Sequence, residues 1–132
     1  MAIPECKIVF IGESGVGKTC ILQYLMGMNF DFNTVSNMSA TNFRKQITLP
    51  HLYKKTVMID LWDTAGQEKY RSLTRNFYKE TCVAILVYDI TRKNSFEALK
   101  SYWYNDVVSV AGKNIGKYLI IDIHYSPRRC WK

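Results

Sequence analysis

Gly12-Glu13-Ser14-Gly15-Val16-Gly17-Lys18-Thr19 (GESGVGKT) decides how this chain folds. Before it, Cys6–Ile11 (CKIVFI), with the apolar stretch Ile8–Ile11, reads as a short, fully buried strand. After it, Val16, Cys20, Ile21, Leu25 and Met26 recur at helical spacing, which predicts a helix over 16–26. The segment satisfies G-x-x-x-x-G-K-[ST] between a strand and a helix, the context this pattern requires. Its glycines permit positive φ and close backbone approach, so successive N–H groups can point at phosphate oxygens. The helix that begins here adds the positive end of its dipole. Lys18 supplies a point charge for β- and γ-phosphates, and Thr19 a hydroxyl for Mg²⁺.

Working outward, Gly27–Asn42 is polar and irregular and reads as a long loop. Phe43–Leu49 and Val57–Trp62 read as strands of a hairpin turning at Pro50 and His51. Lys69–Lys79 reads as a helix, Val83–Asp89 (VAILVYD) as a second fully buried strand, and Tyr118–Ile123 as a last strand. Asn94 or Ser95 is expected to cap a helix reaching Ala111. Buried strands alternating with helices predict an α/β fold with right-handed crossovers and a mostly parallel sheet covered on both faces. The hairpin adds one antiparallel edge strand. Ligand sites in such sheets lie at the carboxyl ends of strands, where the glycine loop falls.

Composition agrees. The 132 residues suit one domain, and 48% apolar with 22% charged residues excludes a disordered chain. The longest apolar run, Val83–Tyr88, is far short of the roughly 20 residues that span a bilayer, and nothing near Met1 reads as a secretion signal. The cytoplasm is the expected compartment. Net charge is +7, and residues 113–132 hold five basic and one acidic side chain. That tail reads as a solvated end, so no nucleic-acid partner is expected. Cys6, Cys20, Cys82 and Cys130 lack paired spacing, which argues against zinc, and three of them lie in apolar segments and read as small core residues.

A second constellation, Trp62-Asp63-Thr64-Ala65-Gly66-Gln67-Glu68, follows the strand Val57–Trp62. An aspartate at a strand end can hold Mg²⁺ through water, a glycine N–H can meet a γ-phosphate, and a glutamine can orient attacking water. GESGVGKT together with WDTAGQEKYRSL resembles the Ras superfamily of small GTPases, and VYDITRKNSFEAL resembles its Rab branch. The resemblance spans roughly residues 5–112 and implies a P-loop NTPase three-layer sandwich with strand order 2-3-1-4-5. It implies a GTP hydrolase that binds GTP/GDP with Mg²⁺ and switches vesicle trafficking. By resemblance Gly12, Ser14, Gly15, Val16, Gly17, Lys18, Thr19 and Cys20 hold the nucleotide. Phe30 stacks on guanine, Gly66 senses the γ-phosphate and Gln67 positions water. Thr19 and Asp63 serve the metal. Trp62, Phe77 and the switch regions are implied to meet effectors, exchange factors and GTPase-activating proteins.

The sequence departs from that pattern in three places. Eighteen residues past Thr19 the family has a threonine that closes switch I on Mg²⁺; here the count reaches Asn37. Slow hydrolysis is therefore expected, with Asn37 as the candidate metal ligand. After Tyr118–Ile123 the family reads Asn-Lys-x-Asp, which recognises guanine; here the chain reads His124-Tyr125-Ser126-Pro127. The expectation is a partial G domain over 1–123, lacking the last strand and helix, with a divergent basic tail over 124–132. Such a sheet would expose parts of Ile8, Phe10, Ile85 or Ile120. Cys130 fits no prenylation box and Ala2 no myristoylation site, so no lipid anchor is evident, and an endomembrane would be reached only through a partner. The alternative is a pseudo-GTPase or protein-binding module without significant nucleotide binding. Without Asn-Lys-x-Asp, stacking on Phe30 tolerates any base. GTP and ATP affinities measured by competition titration should therefore be similar; a thousandfold preference for GTP would refute this.

Overall fold

The computed structural model describes residues 2–27, 41–64, 75–112 and 115–123. Five strands form one sheet: β1 (Glu5–Ile11), β2 (Thr41–Leu49), β3 (Lys55–Asp63), β4 (Val83–Asp89) and β5 (Gly116–Ile123). Their order is β2-β3-β1-β4-β5, with only the β2–β3 pair antiparallel. This is the order that the resemblance implies. The hairpin turns over 50–54, where Tyr53 and Lys54 take positive φ of 53° and 56°.

β1 and β4 occupy central positions, so both faces of each are buried, and side-chain alternation splits them between two cores. Val9 and Ile11 of β1 and Ala84 and Leu86 of β4 face one way. Phe10 and Val87 face the other. Helix α1 (Lys18–Leu25) covers the second face, with Leu22 fully buried beside Val16, Phe10 and Leu61. The first face is covered by α2 (Lys93–Ala98), a π-helical turn (Leu99–Trp103) and α3 (Tyr104–Ala111), which run on without a break. The three-layer α/β sandwich expected from the sequence is thus present.

The π turn has a packing reason. Leu99, Trp103 and Val107 are all buried in the first core at spacings of four residues. An α-helix of about 3.6 residues per turn would drift sideways over that spacing. One wider turn, in which the Tyr104 N–H donates to the Leu99 carbonyl, absorbs the drift and keeps all three on the sheet.

Four sequence expectations need correction. The helix after β4 starts at Lys93, with extended Arg92 in the capping position and no side-chain cap. Ser95 is fully buried and accepts from the Asp89 N–H at 3.0 Å, so its hydroxyl ties the helix to the strand end. Within the expected helix Lys69–Lys79, the described part, Arg75–Tyr78, is a single 3₁₀ turn whose Tyr78 plugs the first core. Cys82 is exposed at the entry to β4, and Cys6 and Cys20 are only partly buried. Phe10 is fully buried, because Val16 and Leu22 lie over it; Ile8 and Ile85 are half-buried. They border an open apolar groove of about 280 Å³, with Leu25, Ile47 and Ile59 on its other sides.

Because Phe10 is fully buried beneath Val16 and Leu22, Phe10→Ala should destabilise the fold by about 3–5 kcal/mol. Ile8→Ala, on the same face beside the open groove, should cost less than half as much. Urea denaturation of the two variants checks this, and equal midpoints would contradict the packing described.

Candidate phosphate and magnesium site

The loop Gly12–Gly17 leaves the carboxyl end of β1 and lies against the end of β4. At Gly12 φ is +148° and a Cβ would sit 2.2 Å from the Val87 carbonyl oxygen, which no side chain tolerates. The loop can therefore turn back over the strand end only with glycine here. It enters α1 through Gly17, and no side chain caps the N-terminus of that helix. The N–H groups of its first turn are left to bind an anion. Val16 turns inward and is buried in the second core, which anchors the middle of the loop.

Lys18 is a buried cation. Its Nζ donates to the Gly12 carbonyl at 2.9 Å and the Glu13 carbonyl at 2.8 Å. Burial lowers its pKa from 10.5 to about 8, although Asp63 and Glu13 pull it back up. An ammonium held among carbonyls and short of a full counter-charge is disposed to accept a phosphate.

Thr19, one residue into α1, donates its hydroxyl to Asp63 Oδ2 at 2.5 Å. Asp63 ends β3 and is buried. The next residue, Thr64, donates to the Phe10 carbonyl at 2.5 Å, which fastens the chain leaving β3 onto β1. A hydroxyl and a buried carboxylate side by side are hard oxygen donors of the kind Mg²⁺ takes, so these two residues fit the metal expected here. Cys20 follows on α1, half-buried, and burial raises its thiol pKa, with the Asp63 charge acting in the same direction.

Of the residues singled out from the sequence, the structure brings Gly12, Ser14, Gly15, Val16, Gly17, Lys18, Thr19, Cys20 and Asp63 to one end of the sheet. Phe30, Asn37, Gly66 and Gln67 lie outside the described residues. Trp62 points to the face covered by the 3₁₀ turn, with its ring 5.4 Å from that of Phe77 and Lys7 Nζ 4.7 Å above it. Sequence reasoning missed Trp103. Its indole Nε1–H donates to Glu13 Oε1 at 2.8 Å, across a sequence separation of 90. No motif in the sequence marks Trp103, and only tertiary contact reveals that its polar edge holds the loop.

A sequence model of the Ras family matches residues 7–123. The chain belongs to the Ras family. This Ras-family chain is similar to the GTP-binding protein ypt4 of Schizosaccharomyces pombe, 41% identical over 111 residues, or 83% of this chain and 47% of that protein. It is also similar to the putative ras-related protein Rab-5B of Dictyostelium discoideum, 39% identical over 109 residues, or 83% of this chain and 49% of that one. The chain thus spans about half the length of these curated relatives. Ras-family proteins bind GTP or GDP with Mg²⁺ in general, and the loop and the Thr19–Asp63 pair lie inside the matched residues.

The Lys18 shift has a measurable sign. A bound phosphate stabilises the ammonium, so diphosphate affinity should fall as pH rises through about 8, approaching tenfold per unit. In the unliganded protein the unfolded chain keeps its lysine proton up to 10.5, so from about 8 to 10.5 this group makes stability rise with pH. Calorimetric titration and thermal melting across that range check both slopes, and Lys18→Met should flatten both.

Proposed function

We propose that this chain binds guanosine di- and triphosphate with Mg²⁺ through Gly12–Thr19 and acts as a Rab-type nucleotide switch in vesicle trafficking. The observation that carries this reading is the buried Lys18 ammonium at an uncapped helix N-terminus, one residue from a hydroxyl bonded to the buried Asp63 carboxylate. Lys18 presents its charge to the β- and γ-phosphates while the loop N–H groups hold the remaining oxygens. Thr19 and Asp63 would hold Mg²⁺, which neutralises charge that develops on the phosphates. Gly66 donates its N–H to the γ-phosphate and Gln67 orients the attacking water.

Hydrolysis is slow in this reading. Asn37 offers an amide oxygen where the family has a shorter hydroxyl ligand, so switch I closes loosely, and phosphoryl transfer depends on positioning. The half-buried Trp62–Phe77 pair is the surface an effector or regulator would read. The setting is the cytoplasm, with an endomembrane reached through a partner. No described helix is long and apolar enough to cross a membrane.

The test is nucleotide carried through purification in Mg²⁺, identified by chromatography, followed by single-turnover hydrolysis. Parent protein should retain bound nucleotide. Lys18→Ala should weaken diphosphate binding by about 2–4 kcal/mol, the range for truncating one partner of a charge-assisted contact. Asn37→Thr should raise the hydrolysis rate. Equal diphosphate affinity in parent and Lys18→Ala would refute the site, and retention of no nucleotide at all would favour a protein-binding module.

A further inference from the structure

We propose that Arg92 is a positioning residue of the phosphate loop: it holds the Ser14 carbonyl and thereby aims the Gly15 N–H at a bound nucleotide's phosphates. The proposal rests on the nucleotide-binding reading above and adds a residue to it from a different part of the chain.

The geometry begins at the end of β4. Arg92 sits in the extended capping position of α2 and its backbone is held from two sides. Its N–H donates to the Asp89 carbonyl at 2.9 Å, and its own carbonyl accepts from the Ser95 hydroxyl at 2.7 Å. A backbone fixed in this way aims the side chain. Nη2 crosses to the phosphate loop and donates to the Ser14 carbonyl at 3.0 Å. The guanidinium also lies over Gly15, because a Cβ there would be only 3.4 Å from Arg92 Nη1.

A planar trans peptide points its C=O and its N–H in opposite directions. The described residues contain no cis peptide bonds. Holding the Ser14 carbonyl toward Arg92 therefore turns the Gly15 N–H away from α2, to the opposite side of the loop. Gly15 has φ +76°, a conformation that lets the next peptide follow the curve of the loop. The bond from a guanidinium is charge-assisted, and it polarises the whole peptide, which makes the Gly15 N–H a better donor. Arg92 also lowers the Lys18 pKa, so its charge is felt inside the phosphate site. A positive side chain behind the loop and a lysine within it both favour an anion between them.

The loop is thus gripped twice by one continuous helical segment. Arg92 at its start takes the Ser14 carbonyl, and Trp103 in its π turn takes the Glu13 carboxylate. Trp103 fixes a side chain; Arg92 fixes a peptide plane, and only a peptide plane carries the N–H that faces a ligand.

The experiment uses the full chain as parent, Arg92→Ala and Arg92→Lys. Affinities for GDP and for inorganic pyrophosphate in Mg²⁺ are measured by calorimetry, with the Gly15 amide resonance followed by NMR. Arg92→Ala should lose on the order of tenfold for both ligands, as truncated charge-assisted contacts do. Arg92→Lys should recover part of that loss, and the Gly15 amide shift on ligand binding should shrink in the alanine variant only. Unchanged affinities, or an unchanged Gly15 shift, would overturn the proposal. An equal loss in both variants together with a lower melting temperature without ligand would also overturn it, since that marks a purely structural tie. If Lys18→Ala binds pyrophosphate as well as the parent does, the phosphate-loop reading itself has failed. A loss confined to the Arg92 variants leaves that reading standing.

Discussion

The site depends on a backbone approach too close for any side chain. Gly12 brings the phosphate loop to within van der Waals distance of the end of β4, with 2.2 Å between its absent Cβ and the Val87 carbonyl. Because the loop lies down at this point, Val16 reaches the second core and α1 starts directly over the sheet. Lys18 is then enclosed by carbonyls of its own loop rather than by water. A larger residue at position 12 would lift the loop and release all three constraints together.

Burial of the lysine then sets the electrostatics. An ammonium in that position costs free energy unless anions approach it. Asp63 supplies part of that charge from the end of β3, and Thr19 joins the same carboxylate to α1. Three pieces of chain distant in sequence meet there because the sheet order places β3, β1 and β4 side by side. Parallel strands end at the same edge, so their carboxyl ends bring the loop after β1, Asp63 of β3 and the Arg92 turn after β4 into one cluster.

The helical layer opposite α1 has a supporting role that reaches into the site. Its π turn keeps Leu99, Trp103 and Val107 on the sheet and leaves the Trp103 Nε1–H facing Glu13. Core packing and loop geometry are thus joined through one indole, whose apolar body is buried and whose polar edge finds a partner. Tyr78, from the 3₁₀ turn ahead of β4, fills the same core.

The sequence alone determined the strands and the phosphate loop, because each is a local pattern, while the expected sheet order rested on the family resemblance those patterns carry. CKIVFI and VAILVYD are mostly apolar since both faces of a central parallel strand are covered, and GESGVGKT carries its glycines where the backbone must turn. It placed Lys18, Thr19 and Asp63 at strand ends for the same reason. Tertiary structure decided what depends on contact between distant segments. Ser95 looks like a helix cap in sequence, yet it is spent on the end of β4, and the helix starts two residues earlier than Ser95. Phe10 is covered because α1 crosses it, while Ile8 on the same face is not. No site role attaches to Trp103 or Arg92 in the sequence, and folding carries them 90 and 78 residues back to the loop. Periodicity records which face of an element is buried, but not which polar atom on that face finds a partner elsewhere in the chain.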